Sequence, residues 1–127
     1  MNSIVIDTDI LIDHLRGLEK AKEYLRDVEN GKVRGAISVI TEAELAAGES
    51  MKDTLVQMKV KKLLSILEKV KVTSEIAWKA GELKRDYNCR LMDALIAATA
   101  LGLNLKLVTR NTKHYEKVVE LQIEKPY

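Results

Sequence analysis

Two kinds of apolar spacing alternate along this chain, and they predict two kinds of element. Short apolar runs predict buried parallel strands at 4–6, 36–39, 70–72, 105–108 and 119–123. Apolar residues three or four positions apart predict helices near 10–15 and over 18–29, 41–47, 53–68, 74–87 and 91–101. Because strands and helices alternate, the pattern indicates a layered α/β fold with a mainly parallel sheet.

Local signals place several helix ends. Asn30 and Gly31 form a helix-stop pair after the second helix, and Gly48 and Gly102 are expected to close two others. Ser74 is the predicted cap of the helix over 74–87, because its hydroxyl can accept from a free amide of the first turn.

The composition narrows the class of protein. A chain of 127 residues with 46% hydrophobic content predicts one domain, residues 1–127. The net charge of +2 means that any nucleic-acid contact must come from a local patch. A single cysteine, Cys89, excludes an internal disulfide and favours a cytoplasmic location. No apolar run approaches membrane-spanning length, so no membrane association is expected.

Three acidic residues stand where a parallel sheet collects its functional groups. Ligands bind at the carboxyl ends of parallel strands, which selects the loops after Ile6, Val39 and Val108. Asp7 directly follows the first predicted strand, although it would also serve as a helix N-cap.

Glu44 and Asp93 each have a functional and a structural interpretation. Glu44 falls on the first turn of a helix that follows a strand, but with Thr41 it also matches a capping box. Asp93 lies in an apolar run, where a carboxylate is costly to bury unless paired or bound to a metal. Its structural alternative is a helix cap stabilised by the macrodipole.

Three clustered carboxylates repel one another unless a cation neutralises them. A hard divalent ion such as Mg²⁺ or Mn²⁺ suits oxygen ligands of this kind. Other ligand types are scarce, since His14 and His114 stand alone and Cys89 by itself cannot form a zinc site.

Four segments, in order, resemble the PIN-domain family, and within it the VapC-type toxins of bacterial and archaeal toxin–antitoxin pairs. They span nearly the whole chain, and the second is followed by Gly48. The segments are Ile4–Ile12, Ile37–Leu45, Leu91–Ala100 and Leu107–Asn111.

The resemblance implies a three-layer α/β/α fold and an endoribonuclease that hydrolyses RNA phosphodiester bonds with Mg²⁺ or Mn²⁺. It implies that Asp7, Glu44 and Asp93 form the metal site, with Thr109 and Asn111 beside them. Many members carry Asp where this chain has Asn111, which favours a single ion.

Within this scheme Asp7 and Asp93 would hold the ion, and Glu44 would bind it through water or take a proton from the attacking water. Thr8 and Thr109 would orient the carboxylates or the phosphate. Asp9 would add a carboxylate, but the favoured interpretation is a helix cap.

The family also implies partners. Its members form homodimers and are inhibited by a cognate antitoxin, here of the VapB type, for which Leu18 and Leu25 are candidate contacts or else core residues. RNA phosphates would be bound by Arg90, Arg110 and Lys113, whose alternative is a solvated surface. A second set of lysines is expected to form a solvated face: Lys59, Lys61, Lys62, Lys69 and Lys71.

Three other functions fit parts of the pattern. Asp7-Thr8-Asp9 after a strand resembles the first motif of haloacid-dehalogenase-like phosphatases, but Leu11 departs from that motif and no late acidic pair follows. A catalytically weak PIN-like module that only binds RNA or protein is suggested by Asn111. A PIN domain acting on structured DNA is also possible, although such enzymes are usually larger and carry more carboxylates.

Overall fold

The computed structural model describes residues 2–127. It contains one five-stranded sheet in the order β3-β2-β1-β4-β5, and every pairing in it is parallel. The strands are β1 (Asn2–Ile6), β2 (Val33–Ser38), β3 (Glu68–Val70), β4 (Leu107–Val108) and β5 (Ile123–Glu124).

Within residues 2–127, six helices connect and cover the strands. They are α1 (Thr8–Leu15), α2 (Glu19–Glu29), α3 (Val39–Ala46), α4 (Thr54–Leu64), α5 (Ser74–Tyr87) and α6 (Leu91–Leu103). Two 3₁₀ helices, Glu49–Lys52 and Thr112–His114, follow α3 and β4. None of the helices within residues 2–127 has the length and apolar character needed to span a bilayer.

The sheet separates two hydrophobic cores, which confirms the predicted α/β/α layering. Side chains alternate across β1, so Val5 packs into one core while Ile4 and Ile6 pack into the other. The first core contains the buried faces of α5 and α6, including Leu83 and Ile96. The second contains those of α1, α2 and α4.

Several predicted boundaries were wrong by a few residues. Helix α4 ends at Leu64 rather than near 68, and β3 begins at Glu68 rather than at Val70. The predicted fifth strand over 119–123 is mostly turn, with the strand confined to Ile123–Glu124. Leu67 and Leu121 are buried but lie outside the helices and strands, so their apolar character extended the predicted elements beyond their actual ends.

The helix ends follow local chemistry, with some corrections. Thr73, not Ser74, caps α5, since its hydroxyl accepts from the amide of Ile76 at 3.2 Å. Helix α6 passes Gly102 and ends at Asn104, which takes the left-handed conformation with φ 54°. The predicted stop after α2 is confirmed: Asn30 is its C-cap and Gly31 has φ 76°.

Candidate active site

Four acidic side chains gather at the carboxyl edge of the sheet, and we call them the acid cluster: Asp7, Asp9, Glu44 and Asp93. Helices α1 and α3 begin directly after β1 and β2, which brings Asp7, Asp9 and Glu44 to the same edge. Asp93 arrives from the first turn of α6. The Thr109 hydroxyl contacts both Asp7 and Asp9, at 2.8 and 3.4 Å, and the Thr8 hydroxyl contacts Glu44.

Asp7 is both a helix cap and a member of the cluster. Its Oδ1 accepts from the amide of Thr8 at 2.8 Å, and its Oδ2 accepts from the hydroxyl of Thr109 at 2.8 Å. Burial raises the pKa of Asp7 to about 6, and the nearby Asp9 carboxylate adds to the rise, against the effect of its hydrogen bonds. The side chain therefore holds a negative charge at neutral pH only at an energetic cost.

A chain of hydroxyl groups joins α1 to Glu44. The Thr8 hydroxyl lies 2.7 Å from Glu44 Oε1 and 3.0 Å from the Thr41 hydroxyl. Because a hydroxyl has one proton and the carboxylate can only accept, Thr8 donates to Glu44 and accepts from Thr41. Glu44 is thus fixed through one oxygen, and its other oxygen is free of this contact.

The capping box predicted for Thr41 and Glu44 was wrong. Ser38 caps α3, with its hydroxyl accepting from the amide of Ile40 at 3.1 Å. The chain turns into the helix directly after β2, so Thr41 already lies inside the first turn, and its buried hydroxyl faces Thr8 instead of a free amide.

The expectation that Asp9 caps α1 was also wrong, because Asp7 holds that position. Asp9 Oδ2 accepts from the amides of Arg110 and Asn111, at 2.9 and 3.1 Å, and so holds the loop that follows β4. Asp9 Oδ1 is buried and has no hydrogen-bond partner within residues 2–127. Burial raises the pKa of Asp9 as well.

The two residues predicted beside the acids after β4 behave differently. Thr109 is fully buried and donates to Asp7. Asn111 contributes its main chain, whose amide donates to Asp9 and to the Thr109 hydroxyl, while the residue itself is exposed.

Asp93 lies between two side chains that the sequence did not single out. The hydroxyl of Tyr115 is 3.5 Å from Asp93 Oδ1, and His114 Nδ1 is 3.4 Å from Asp93 Oδ2. Arg90 occupies the cap position of α6, so Asp93 is not the cap. Burial, with the charges of Asp7 and Asp93, raises the pKa of Tyr115, which therefore stays a neutral donor.

Nothing local in the sequence marks Tyr115 or His114 as part of this site. They reach Asp93 because the second 3₁₀ helix folds the chain after β4 back towards α6. Their closeness in sequence to the fourth motif was the only available signal.

The predicted basic residues divide into two groups. Arg90 and Lys113 line a small cleft that also includes Asp93. Arg110 instead pairs with the buried Asp13, with Nε 2.7 Å from Oδ2, and its guanidinium lies 5.9 Å from the centre of the Tyr127 ring. The expectation that Arg110 is free for phosphate is therefore not met in this structure.

Leu25 is fully buried in the core, whereas Leu18 is exposed.

The acid cluster suits a hard cation in its chemistry, since its ligands are oxygens and Asp9 Oδ1 is unpartnered. In this arrangement, however, no three acidic, histidine or cysteine side chains of residues 2–127 converge closely enough to hold an ion. The Thr8 hydroxyl is bonded to Glu44, and the Tyr115 hydroxyl lies beside Asp93.

Comparison with known proteins identifies the class. The PIN domain family profile matches residues 4–120, so the chain belongs to the PIN domain family. It is 36% identical over 125 residues to Ribonuclease VapC10 of Mycobacterium tuberculosis, covering 94% of this chain and 90% of that protein. The family assignment leaves the phosphatase alternative without support.

Among the solved structures that share the fold, two illustrate the similarity. A toxin–antitoxin complex from Klebsiella pneumoniae superposes with a TM-score of 0.82 and 33% identity, covering 98% of both chains. VapBC2 from Rickettsia felis, bound to a DNA fragment from its promoter, superposes with a TM-score of 0.81 and 26% identity, covering 96% of this chain and 97% of that one.

Proposed function

We propose that this protein is an endoribonuclease of the PIN family and the toxin of a VapBC-type toxin–antitoxin pair. Its likeness to Ribonuclease VapC10 along most of both chains supports the activity, and the toxin–antitoxin complex from Klebsiella pneumoniae supports the pairing. The observation that carries the proposal is the acid cluster itself. In it, Asp7 is buried with no cationic side chain among its hydrogen-bond donors, and its pKa is raised to about 6. Such uncompensated charge is typical of functional sites.

The activity is proposed to depend on Mg²⁺ or Mn²⁺. Asp7 and Asp93 would hold the ion directly, and Glu44 would hold it through water. The ion would stabilise negative charge on the scissile phosphate. The exposed side chain of Asn111 adds no carboxylate, which favours one ion over two.

The protein's own side chains would prepare the site before substrate arrives. Thr8 holds Glu44 through Oε1, which leaves Oε2 to accept a proton from the attacking water. Thr109 orients Asp7, and Asp9 fixes the loop after β4 through two backbone amides. Each contact limits rotation of a group that must be placed accurately for catalysis.

A VapB-type antitoxin is the proposed protein partner, and a homodimer is the proposed assembly. Leu18 is a candidate antitoxin contact because 40% of it is exposed, whereas the buried Leu25 is not. RNA is the proposed substrate, and the cytoplasmic location remains a prediction.

The decisive experiment is cleavage of total cellular RNA by protein freed of any antitoxin, with Mg²⁺ or Mn²⁺ and with a chelator. Asp93→Asn should reduce the cleavage rate roughly 100-fold or more, the scale of a lost acid–base or charge-stabilising group. Asp27→Asn, an exposed carboxylate on α2, is the matched control and should cleave like the parent.

The outcomes separate the competing functions. Metal-dependent cleavage that is lost in Asp93→Asn but kept in Asp27→Asn supports the proposal. RNA binding without cleavage by the parent would favour the binding-only module. Cleavage that survives both chelator and substitution would contradict the assignment of this site.

A further inference from the structure

A small cleft lies beside Asp93, between the loop joining α5 to α6 and the second 3₁₀ helix. Its volume is about 180 Å³. We call it the basic cleft, and its charged lining consists of Arg90, Asp93, Lys113, His114 and Lys117. Since Asp93 forms part of the wall, the basic cleft opens directly beside the acid cluster.

The basic cleft carries positive charge that the rest of the protein leaves unneutralised. Arg90, Lys113 and Lys117 are exposed, and none of them forms an ion pair within residues 2–127. Asp93 is the only carboxylate of the lining, and its contact is with His114. Three cations around one small space repel one another, so an anion bound there would be stabilised.

Two lysines elsewhere on the protein are paired. Lys79 contacts Glu120 at 3.2 Å, and Lys106 contacts Glu124 across the sheet edge. Two larger clefts, of about 640 and 760 Å³, contain no residue of the acid cluster. The basic cleft therefore differs from them in joining free positive charge to a proposed catalytic carboxylate.

The size of the basic cleft restricts the anion. Pockets for drug-sized molecules usually have about 300–1,000 Å³, so this cleft admits a smaller group, such as a phosphate with its sugar. RNA strands are held chiefly through their phosphates, which pair with lysine and arginine.

We propose that the basic cleft binds the phosphate adjacent to the one being cleaved, with Lys113 and Lys117 as its main contacts. The RNA strand then runs from the acid cluster past Asp93 and into the cleft. This inference rests on the proposed ribonuclease function and adds the path of the strand across the protein.

The test measures binding without cleavage. A fluorescein-labelled, single-stranded RNA of mixed sequence is titrated with protein in a chelator at several salt concentrations, and anisotropy is recorded. Lys113→Gln/Lys117→Gln should weaken binding about tenfold and reduce the slope of log K against log salt by about 0.7, the value for one lost phosphate contact on a single strand. With metal present, this variant should raise KM and change kcat little.

The control removes the same charge elsewhere. Lys59→Gln/Lys61→Gln lies on the exposed face of α4, which packs against the opposite core from α6. It should bind RNA within about twofold of the parent. Thermal unfolding checks that both variants remain folded, which is expected because all four lysines are exposed.

Three results would overturn the inference. Equal losses in both variants would mean that only net charge matters. Parental affinity in the cleft variant, with cleavage by the parent intact, would exclude the cleft while leaving the ribonuclease function standing. Parental RNA affinity with a weakened antitoxin complex would assign the cleft to a protein partner. A parent that neither binds nor cleaves RNA would instead refute the proposed function.

Discussion

Two buried carboxylates at opposite ends of α1 have opposite electrostatic surroundings. Asp7 is 5% exposed and Asp13 is 7% exposed. Asp13 faces the guanidinium of Arg110 and accepts from the hydroxyl of Tyr127 at 2.7 Å. Asp7 has only neutral donors around it, and a second carboxylate, Asp9, lies nearby.

The difference shows how burial alone fails to distinguish structural from functional acids. Burying a carboxylate is costly unless a cation or several donors compensate. At Asp13 the protein supplies the cation from its own chain, so the group stabilises the fold. At Asp7 it supplies none, so burial, together with the Asp9 charge, raises the pKa to about 6 and leaves the site suited to an external cation.

The largest effect is expected when Asp13, the carboxylate with a cationic partner, is replaced. Asp13→Asn should lower the free energy of unfolding by roughly 2–3 kcal/mol at pH 7, because the half-exposed Arg110 loses its ion pair and the Tyr127 hydroxyl loses a charged acceptor. The exposed half of the arginine side chain keeps the loss at the lower end of the usual range. Urea denaturation measures it, and a loss below about 0.5 kcal/mol would contradict a stabilising role for this pair.

A smaller change in the free energy of unfolding, of opposite sign, is expected at Asp7, which has no cationic partner. A carboxyl whose pKa rises from 3.8 to about 6 on folding is stabilising in its protonated form, and that contribution disappears as pH rises from about 4 to about 6. The full cost is about 3 kcal/mol. Since Asn cannot ionise, Asp7→Asn should stabilise the metal-free protein by about 2 kcal/mol at pH 8 and by little at pH 4.

Urea denaturation in a chelator, at both pH values, tests this prediction. Asp27→Asn is again the control, because that exposed side chain should show no comparable difference between the two pH values. An Asp7→Asn variant that is less stable than the parent at pH 8 would mean that the Thr8 and Thr109 hydrogen bonds outweigh the cost of burying the charge.

The smallest effect is expected from removing one of the two groups that neutralise Asp13. Tyr127→Phe removes the hydroxyl that donates to Asp13 and should cost about 1 kcal/mol, less than a fully buried bond to a charged group. In the Asp13→Asn background the same change should cost clearly less, because the acceptor no longer carries a charge. Equal costs in the two backgrounds would show that Tyr127 acts through packing alone.

The features predicted best from the sequence depend on neighbouring residues. Apolar spacing predicted the α/β layering and the order of strands and helices along the chain. The end of α2 at Asn30 and Gly31 followed from the backbone conformations that these residues favour. Boundaries were predicted less well. Whether Ser38 or Thr41 begins α3 depends on where β2 stops pairing with its neighbours, and both residues are good caps on their own.

The candidate site was predictable only in part. Asp7 follows a buried strand, so its position at the carboxyl edge could be deduced directly. The interpretation of Asp9 as a cap was wrong because its partners, Arg110 and Asn111, lie about a hundred positions away. Tyr115 was missed because its hydroxyl meets Asp93 only after the chain folds back beyond β4.

From the pattern of the sequence we could predict a layered α/β protein with acidic residues at one edge of its sheet, because periodicity and strand ends are local properties. The tertiary structure was needed to show which of the buried acids are neutralised. Arg110 and Tyr127 stand 97 and 114 positions from Asp13, and no local pattern pairs them. The pKa of a buried carboxylate depends on which groups the whole fold places around it. At Asp7 the fold places no cationic side chain that would neutralise the charge.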